Sequence, residues 1–582
     1  MSGCCGLSRR ELLQWGALVA ASPFLGALVD PERAYASAAG AGVVPMNLEL
    51  VTVTETSAIM TWYTGAAGPF DEFGRLAPAP SDGEILMGTS PATMKQVWSS
   101  ARPTPYHYAE ITGLEPGQTY FYLARSGGVP AAPAPFFAGN PAGTAVASGL
   151  RGPAFAFTTP PAPKGAFLFS VVLCNDLHLG ETTAGLITTQ QGMQLPPGFT
   201  QRPGQPPDPE VMGHAMVADG RARQASYLLG AGDITSEAQP ADLAAAKAVL
   251  DGFGRQGKDW FVARGNHDRS HSGPAYNTCR VDPRGPGLHD CFADEFTPAG
   301  PTWHSSQTPN GLRVMALDTY DKVGNGGDNG VLSDAQFAFV TEQLAAEPDR
   351  PTIVFGHHPV SQESSVTTAE PVLFDLDTAQ SIKLQQLYAK APGVFLHHAG
   401  HTHRNKRTAS PVTPNVVYQE VGATKEYPGG FHLLRVHTGG YALNFYKTRS
   451  DLAREWSERT RQETFAVSQS YVFGSAADRN SVFSADFSGL TPQSSVPRHP
   501  NGAGGHPGAA PRPTTGSASA AQPGLTGTAA AAGPGAPGGQ LAATGGLPGA
   551  ALGVTALAAA AAGVVARQYL SADESVARPG PH

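Results

Sequence analysis

The sequence has few charged residues and few cysteines for its length. Only 15% of its 582 residues are charged, the formal net charge is −8, and no basic block stands out. The electrostatic footprint of a nucleic-acid-binding protein is therefore absent, and we expect no nucleic-acid binding. Two of the five cysteines, Cys4 and Cys5, lie at the extreme N-terminus. The chain is too long for one ordinary domain.

Residues 1–36 have the features of a signal peptide. Ser8-Arg9-Arg10-Glu11-Leu12-Leu13 resembles the twin-arginine signature, and an apolar region runs from Leu12 to Val29. Ala34-Tyr35-Ala36 offers small residues for cleavage. The alternative is a chance Arg-Arg pair before an apolar helix. The twin-arginine route predicts the export machinery for folded proteins as a partner, and a cofactor can then be loaded before export.

Residues 45–160 have an all-β pattern. The stretches 48–53 and 58–63 are rich in β-formers and are separated by turn residues. Tyr120 follows Leu114-Glu115-Pro116-Gly117 at the spacing of a tyrosine corner, which resembles fibronectin type III-like sandwiches. No acid/base cluster occurs here, so we expect a packing or spacer domain.

Residues 164–465 alternate between strand and helix patterns and predict an α/β domain. Phe167–Cys174 is continuously apolar, as in a strand covered on both faces. Helices are predicted at 241–253, 334–346 and 379–389, and β-structure at 416–421 and 431–446. Residues 466–489 are expected to form a β-rich extension.

The C-terminal part predicts a linker and a surface anchor. Residues 490–540 are rich in Pro, Gly, Ser, Ala and Thr and favour disorder. Leu541-Ala542-Ala543-Thr544-Gly545 precedes an apolar stretch at 547–566, long enough to span a bilayer. The segment 541–582 resembles a sorting signal for a sortase-type transpeptidase that attaches proteins to the cell wall, although Asp573 and Glu574 lengthen its tail. A plain transmembrane anchor is the alternative. Either route predicts an exported protein tethered on the extracellular side.

Five apolar strand candidates in the α/β region each end in residues of metal-binding type. These endings are Asp176-Leu177-His178, Gly232-Asp233, Gly265-Asn266-His267-Asp268, Gly356-His357-His358-Pro359 and Gly400-His401-Thr402-His403. If the strands share a sheet, the endings meet at its carboxyl edge, where α/β proteins bind ligands. The mixed oxygen and nitrogen donors suit Mn, Fe, Zn or Co, and the absence of thiolates argues against a structural zinc site.

In this order, the five motifs resemble those of the calcineurin-like metallophosphoesterases, and the preceding β domain resembles the purple acid phosphatase arrangement. The resemblance covers residues 167–465 and implies a four-layer α/β sandwich that binds two divalent metal ions. It also implies the ligands: Asp176, His178 and His403 for the first metal, Asn266, His357 and His401 for the second, and Asp233 as the bridge.

Two cations about 3.5–4 Å apart can share one hydroxide and neutralise phosphate oxygens. His267 is not needed as a ligand in this scheme. It can hydrogen-bond the phosphate or protonate the leaving alkoxide, with Asp268 orienting its ring. Purple enzymes carry a tyrosine three residues after the bridging aspartate, where this chain has Ser236. We therefore expect no purple chromophore, and the metal identity is open.

The resemblance predicts an exported phosphoesterase that favours phosphomonoesters. Phosphodiesters such as cyclic nucleotides or lipid head groups are an alternative substrate class. A non-catalytic cell-surface binding protein on the same scaffold is an alternative function. Among the remaining candidates, Asp318 is interpreted as a turn residue, and Cys279 and Cys291 are a candidate disulfide.

Overall fold

The computed structural model describes residues 42–493. Within this range it omits residues 72–74, 135–136, 138, 150–151, 185–198, 270–289, 299, 322–327, 369–373 and 462–468. The predicted signal peptide at 1–36, the anchor at 541–582 and the linker beyond residue 493 lie outside the described residues. Across the described part of the chain, no helix combines the length and apolar character needed to cross a membrane.

The N-terminal domain is a sandwich of two antiparallel sheets. Its strands are β1 (Val43–Val53), β2 (Ser57–Ala66), β3 (Ser81–Gly88), β4 (Lys95–Thr104), β5 (Tyr106–Thr112), β6 (Thr119–Ser126), β7 (Val129–Pro130), β8 (Thr144–Val146) and β9 (Ala154–Thr158). One sheet has the order β1-β2-β5, and the other has the order β4-β3-β6-β9-β8 with β7 paired to β6.

Both sheets of this domain contribute to one apolar core. Met60 and Trp62 from the first sheet pack with Ile85, Tyr122 and Phe155 from the second. This pattern follows from the alternation of inward and outward side chains along each strand.

The backbone N–H of Glu115 donates a hydrogen bond to the hydroxyl of Tyr120 at 2.9 Å, which closes the predicted tyrosine corner. The fibronectin type III-like fold is confirmed.

Twelve described strands and nine described helices follow. The strands are β10 (Phe167–Cys174), β11 (Tyr227–Ala231), β12 (Trp260–Ala263), β13 (His304–Gln307), β14 (Arg313–Ala316), β15 (Thr352–Phe355), β16 (Val394–Ala399), β17 (Lys406–Thr408), β18 (Val417–Glu420), β19 (Gly430–His437), β20 (Gly440–Lys447) and β21 (Asn480–Ser484). The helices are α1 (Asp208–Ala222), α2 (Pro240–Asp251), α3 (Cys291–Phe296), α4 (Asp334–Ala346), α5 (Gln362–Thr367), α6 (Thr378–Tyr388), α7 (Asp451–Thr460), α8 (Gln469–Phe473) and α9 (Ala476–Arg479).

These strands form two six-stranded mixed sheets. The first has the order β12-β11-β10-β19-β20-β21, with β10, β11 and β12 parallel to one another. The second has the order β13-β14-β15-β16-β18-β17, with β14, β15, β16 and β18 parallel. In the segment predicted to be a β-rich extension, the described residues 469–489 form helices α8 and α9 as well as strand β21, so this part is partly helical.

The two sheets face each other, and helices cover their outer faces. Successive side chains of β10 point to opposite faces. Val171 therefore joins the core between the sheets, where it packs with Ile353 of β15, while Val172 packs under α1 and α2. Outside the second sheet, Val354 packs with residues of α4 and α6, including Val340. The four-layer sandwich is confirmed.

The sandwich domain is joined to the α/β domain by a buried ion cluster. Glu49 of β1 is fully buried and accepts hydrogen bonds from Lys447 Nζ at 2.5 Å and from Arg461 Nη1 at 2.6 Å. The hydroxyl of Tyr427 donates to the same carboxylate at 2.6 Å. Burial alone would raise the pKa of Glu49, but Arg461 and Lys447 hold it well below its ordinary value.

Candidate metal centre

Each of the five motifs directly follows a buried strand, and the carboxyl ends of these strands meet at one edge. Strands β10, β11 and β12 of the first sheet lead to the first three motifs, while β15 and β16 of the second lead to the two histidine motifs. Glycines in the motifs allow the loops that follow these strands to lie close to one another. A Cβ on Gly265 would lie 2.2 Å from Asp233 Oδ1, and one on Gly400 would lie 2.8 Å from Asp176 Oδ2. No larger residue fits at either position without displacing a predicted ligand.

The side chains predicted for the first metal lie together. The Nε2 atom of His403 lies 3.2 Å from Asp176 Oδ1, and that of His178 lies 3.7 Å from the same oxygen. These three side chains form one of three groups whose ligand atoms lie within 4.8 Å of one another. Asp176 is fully buried and His178 is nearly so.

The side chains predicted for the second metal lie beside them, with Asp233 between the two sets. His357 Nε2 is 2.9 Å from Asp233 Oδ2 and 3.0 Å from His401 Nδ1. Asp233 Oδ2 is also 3.5 Å from His178 Nε2, so it contacts both sets. Asn266 is buried, and the backbone N–H of its neighbour His267 donates to Asp233 Oδ1 at 2.9 Å. All seven predicted ligands therefore come from this one edge.

Backbone strain is concentrated at the same edge. Among the described residues, eight non-glycine residues have a positive φ, and five of these eight are predicted ligands. They are Asp176, His178, Asp233, His401 and His403, with φ between 46° and 67°. Such conformations cost about 1–3 kcal/mol each and cluster at functional sites. The described residues with positive φ are therefore concentrated at the edge that carries the candidate ligands.

The residues fit divalent cations. Asp176 Oδ1, His178 Nε2 and Asn266 Oδ1 are buried atoms without a hydrogen-bond partner among the described residues. Buried polar atoms are nearly always satisfied, and each exception calls for an explanation. Carboxylate, imidazole and amide donors are ligands of Mn, Fe, Zn and Co, and bound cations would satisfy these atoms.

The electrostatics of the edge also favour positive charge. Burial alone would raise the pKa of Asp176, yet its contacts with His403 and His178 hold that pKa well below the ordinary range. Burial alone would lower the pKa of His403, but Asp176 and Glu426 raise it to about 10. His401 behaves differently, because burial and the neighbouring His357 lower its pKa to about 4. Burial alone would lower the pKa of His357, the other histidine of the second set, but Asp233 raises it.

His267 lies against this group, but Asp268 does not hold its ring as predicted. The His267 ring centroid is 4.5 Å from that of His178, and His267 Nδ1–H donates to the carbonyl of Ser236 at 3.0 Å. The buried carboxylate of Asp268 instead accepts from the backbone N–H groups of Thr235 and Gly265, both at 2.9 Å. Asp268 therefore anchors two motif loops to each other. Asp side chains commonly accept hydrogen bonds from backbone N–H groups close in the chain, here that of Gly265 three positions earlier.

The other candidates have structural contacts. His358 is buried, with Nδ1 2.7 Å from Thr319 Oγ1 and with Nε2–H donating to the carbonyl of Asp328 at 2.7 Å. Asp318 is a buried ion-pair partner of Arg264 rather than a simple turn residue. Cys291 is disulfide-bonded, and its predicted partner Cys279 lies outside the described residues.

Three charged residues near the site were not predicted from the sequence. Glu181, Lys425 and Glu426 are buried around the imidazoles of the first set. Glu181 stands three residues after His178, and the other two follow β18, the fourth parallel strand of the second sheet. The rule that located the five motifs, a buried strand followed by glycine and polar residues, also applies to Val421-Gly422-Ala423-Thr424-Lys425-Glu426 and would have found two of the three.

Similarities to known proteins agree with this geometry. Residues 169–405 match the model of the calcineurin-like phosphoesterase family. No curated protein matches the chain.

Three solved structures are among those similar to the chain. PhoD is 10% identical, with 69% of this chain and 85% of that chain covered and a TM-score of 0.33. A dimetal phosphatase from Danio rerio is 15% identical, with 48% and 96% covered and a TM-score of 0.34. A purple acid phosphatase from yellow lupin (Lupinus luteus) seeds is 15% identical, with 70% and 73% covered and a TM-score of 0.32. The family match alone identifies residues 169–405 as a calcineurin-like phosphoesterase domain.

Proposed function

We propose that the protein is a metal-dependent phosphoesterase that hydrolyses phosphomonoesters in preference to diesters. The observation that carries the proposal is the convergence of seven ligand-type side chains on one edge, with unpartnered donor atoms among them. The domain family supports the reaction class. Two bound cations would supply the hydroxide nucleophile near neutral pH and offset the charge of phosphate oxygens.

The chain's own residues position the reacting groups. Asp233 contacts both ligand sets through one oxygen, which fixes the spacing between them. His267 is oriented by the carbonyl of Ser236, so its ring is held beside His178. From there it can donate a hydrogen bond to a phosphate oxygen or protonate the leaving alkoxide, which is the work of a general acid. Asp268 keeps the loop of His267 against the loop of Asp233.

The preference for monoesters rests on the pairing of the catalytic domain with a fibronectin type III-like domain, the arrangement that resembles purple acid phosphatases. The test compares p-nitrophenyl phosphate with bis-p-nitrophenyl phosphate on the full chain, with added Mn, Zn, Fe or Co. Metal-dependent turnover of the monoester in excess of the diester is expected. Faster diester turnover would make the protein a phosphodiesterase. Two bound ions per chain without turnover of either ester would support the non-catalytic binding protein instead.

We also propose that the protein is exported and tethered outside the cell. The support is the twin-arginine-like signature at 8–13 and the apolar stretch at 547–566 after Leu541-Ala542-Ala543-Thr544-Gly545. Protease added to intact cells should degrade the enzyme domain. Full protection of that domain until the cells are lysed would contradict the proposal. Release by a cell-wall hydrolase would distinguish wall attachment from a membrane anchor.

A further inference from the structure

Two buried glutamates stand behind the histidines of the first ligand set. His403 Nδ1–H donates to Glu426 Oε1 at 2.7 Å, and His178 Nδ1 lies 3.2 Å from Glu181 Oε2. In both histidines the other nitrogen, Nε2, faces Asp176. The His403 ring is therefore hydrogen-bonded to a glutamate on its outer side, whereas His178 Nδ1 lies close to Glu181 without a hydrogen bond to it.

One lysine connects the two glutamates. Lys425 Nζ donates to both oxygens of Glu181, at 2.6 and 2.9 Å, and lies 3.5 Å from Glu426 Oε2. The side chain of Lys425 is only 3% exposed, that of Glu181 5% and that of Glu426 6%. Charges this deeply buried require mutual compensation, because each loses several kcal/mol of hydration.

The backbone ties this cluster to the metal edge. The N–H of Lys425 donates to the carbonyl of Asp176 at 3.1 Å, and the N–H of Thr424 donates to the carbonyl of Asn175 at 3.2 Å. From the other side, Trp456 Nε1–H donates to the carbonyl of Lys425 at 2.7 Å. These backbone hydrogen bonds hold the segment that contains Lys425 against the segment that contains the predicted ligand Asp176.

An ion cluster that served stability alone would have no reason to contact both imidazoles. Buried ion pairs are weak stabilisers compared with apolar residues of the same volume. Carboxylates behind metal-ligating histidines, in contrast, fix the ring orientation and raise the basicity of the ligand nitrogen. We propose that Lys425 is a positioning residue that holds Glu181 and Glu426 behind His178 and His403, and thereby sets the affinity of the first cation site. This inference rests on the proposed two-cation site.

The test measures Mn²⁺ binding to the metal-freed full chain by titration calorimetry, with thermal unfolding as the check on folding. The variants are Glu181→Gln, Glu426→Gln and Lys425→Met. The control is Lys447→Met, which removes a lysine of similar burial from its pair with Glu49 at the domain junction. We expect the first site to lose about 10-fold to 100-fold in affinity in each test variant, as is typical when a partner behind a ligand is lost. Lys447→Met should keep wild-type affinity at both sites. In the three test variants, the second site should keep wild-type affinity.

The isosteric Glu→Gln variants decide the outcome if Lys425→Met does not fold. Wild-type affinity at both sites in both glutamine variants would overturn the inference while leaving the proposed function intact. A loss of affinity at both sites in proportion to a loss of folded protein would also overturn it. A wild-type protein that binds no Mn²⁺ would overturn the proposed function together with the inference.

Discussion

The two halves of the candidate metal centre use similar ligands but hold them with different groups. In the first half, buried glutamates contact the outer nitrogens of His178 and His403. In the second half, His357 Nδ1–H donates to the backbone carbonyl of Ala231 at 2.8 Å. A backbone carbonyl is fixed by the fold, whereas glutamates add negative charge and depend on a counter-ion. We therefore expect the first half to bind its cation more tightly.

The largest effect is expected from Asp233→Asn, because this residue contacts both halves. The substitution keeps the shape of the side chain and removes the shared charge. Several kcal/mol of charge stabilisation would be lost, and each 1.4 kcal/mol costs about tenfold in rate, so kcat/KM should fall by about 10⁴-fold or more. Metal content per chain should fall as well. Turnover within tenfold of wild type would contradict the bridging role.

His267→Ala should abolish most turnover without changing cation binding in either half of the candidate metal centre. We expect kcat to fall by about 10²-fold to 10⁴-fold, the usual contribution of a general acid, while both cations stay bound. The matched control is His437→Ala. His437 pairs with Phe167 at the start of β10, which is the end of the strand opposite Asp176. Loss of a bound cation in His267→Ala would instead identify His267 as a ligand.

Stepwise removal of metal tests whether the two halves of the candidate metal centre differ in affinity. A chelator added in small portions should take the second cation first and leave a species with one ion per chain. The expected difference in affinity is about 10-fold to 100-fold, the size that glutamates behind ligand histidines contribute. Metal analysis after gel filtration at each chelator concentration provides the measurement. Simultaneous loss of both ions would show that the two halves do not differ.

The smallest effect on turnover is expected at the other buried ion cluster, around Glu49. Its pKa lies well below 4.5 in the folded protein, so the stability it contributes is fully present above pH 4.5 and is lost as the pH falls further. Glu49→Gln should cost about 3–5 kcal/mol of unfolding free energy at neutral pH, because Lys447 and Arg461 lose their partner. The difference in Tm from wild type should shrink below pH 4.5. Metal affinity should not change. A constant difference in Tm down to pH 3 would contradict this assignment.

The strands and the clustering of the candidate ligands could be predicted from the sequence because the signals are local. An apolar run followed by glycine and a polar residue locates a buried strand and its carboxyl edge without any knowledge of the pairing. The motif strand predicted at Phe167–Cys174 has the predicted bounds. Periodicity alone gave an α/β domain, and the family resemblance supplied the four layers.

Contacts between distant segments could not be predicted in this way. Lys425 and Glu181 are 244 positions apart and meet only because β18 and β10 end at the same edge. Asp268 was assigned to its sequence neighbour His267, but it binds backbone N–H groups more than thirty positions away as well as nearby. The buried pair of Glu49 and Lys447 joins two domains and has no signature in either segment.

We expect two cations to bind at the edge formed by the five motifs. The most direct test is anomalous diffraction from crystals of the full chain soaked with Mn²⁺. Two peaks about 3.5–4 Å apart are expected. One should lie among Asp176, His178 and His403, the other among Asn266, His357 and His401, with Asp233 between them. The absence of peaks at this edge, or a single peak elsewhere in the molecule, would contradict this expectation.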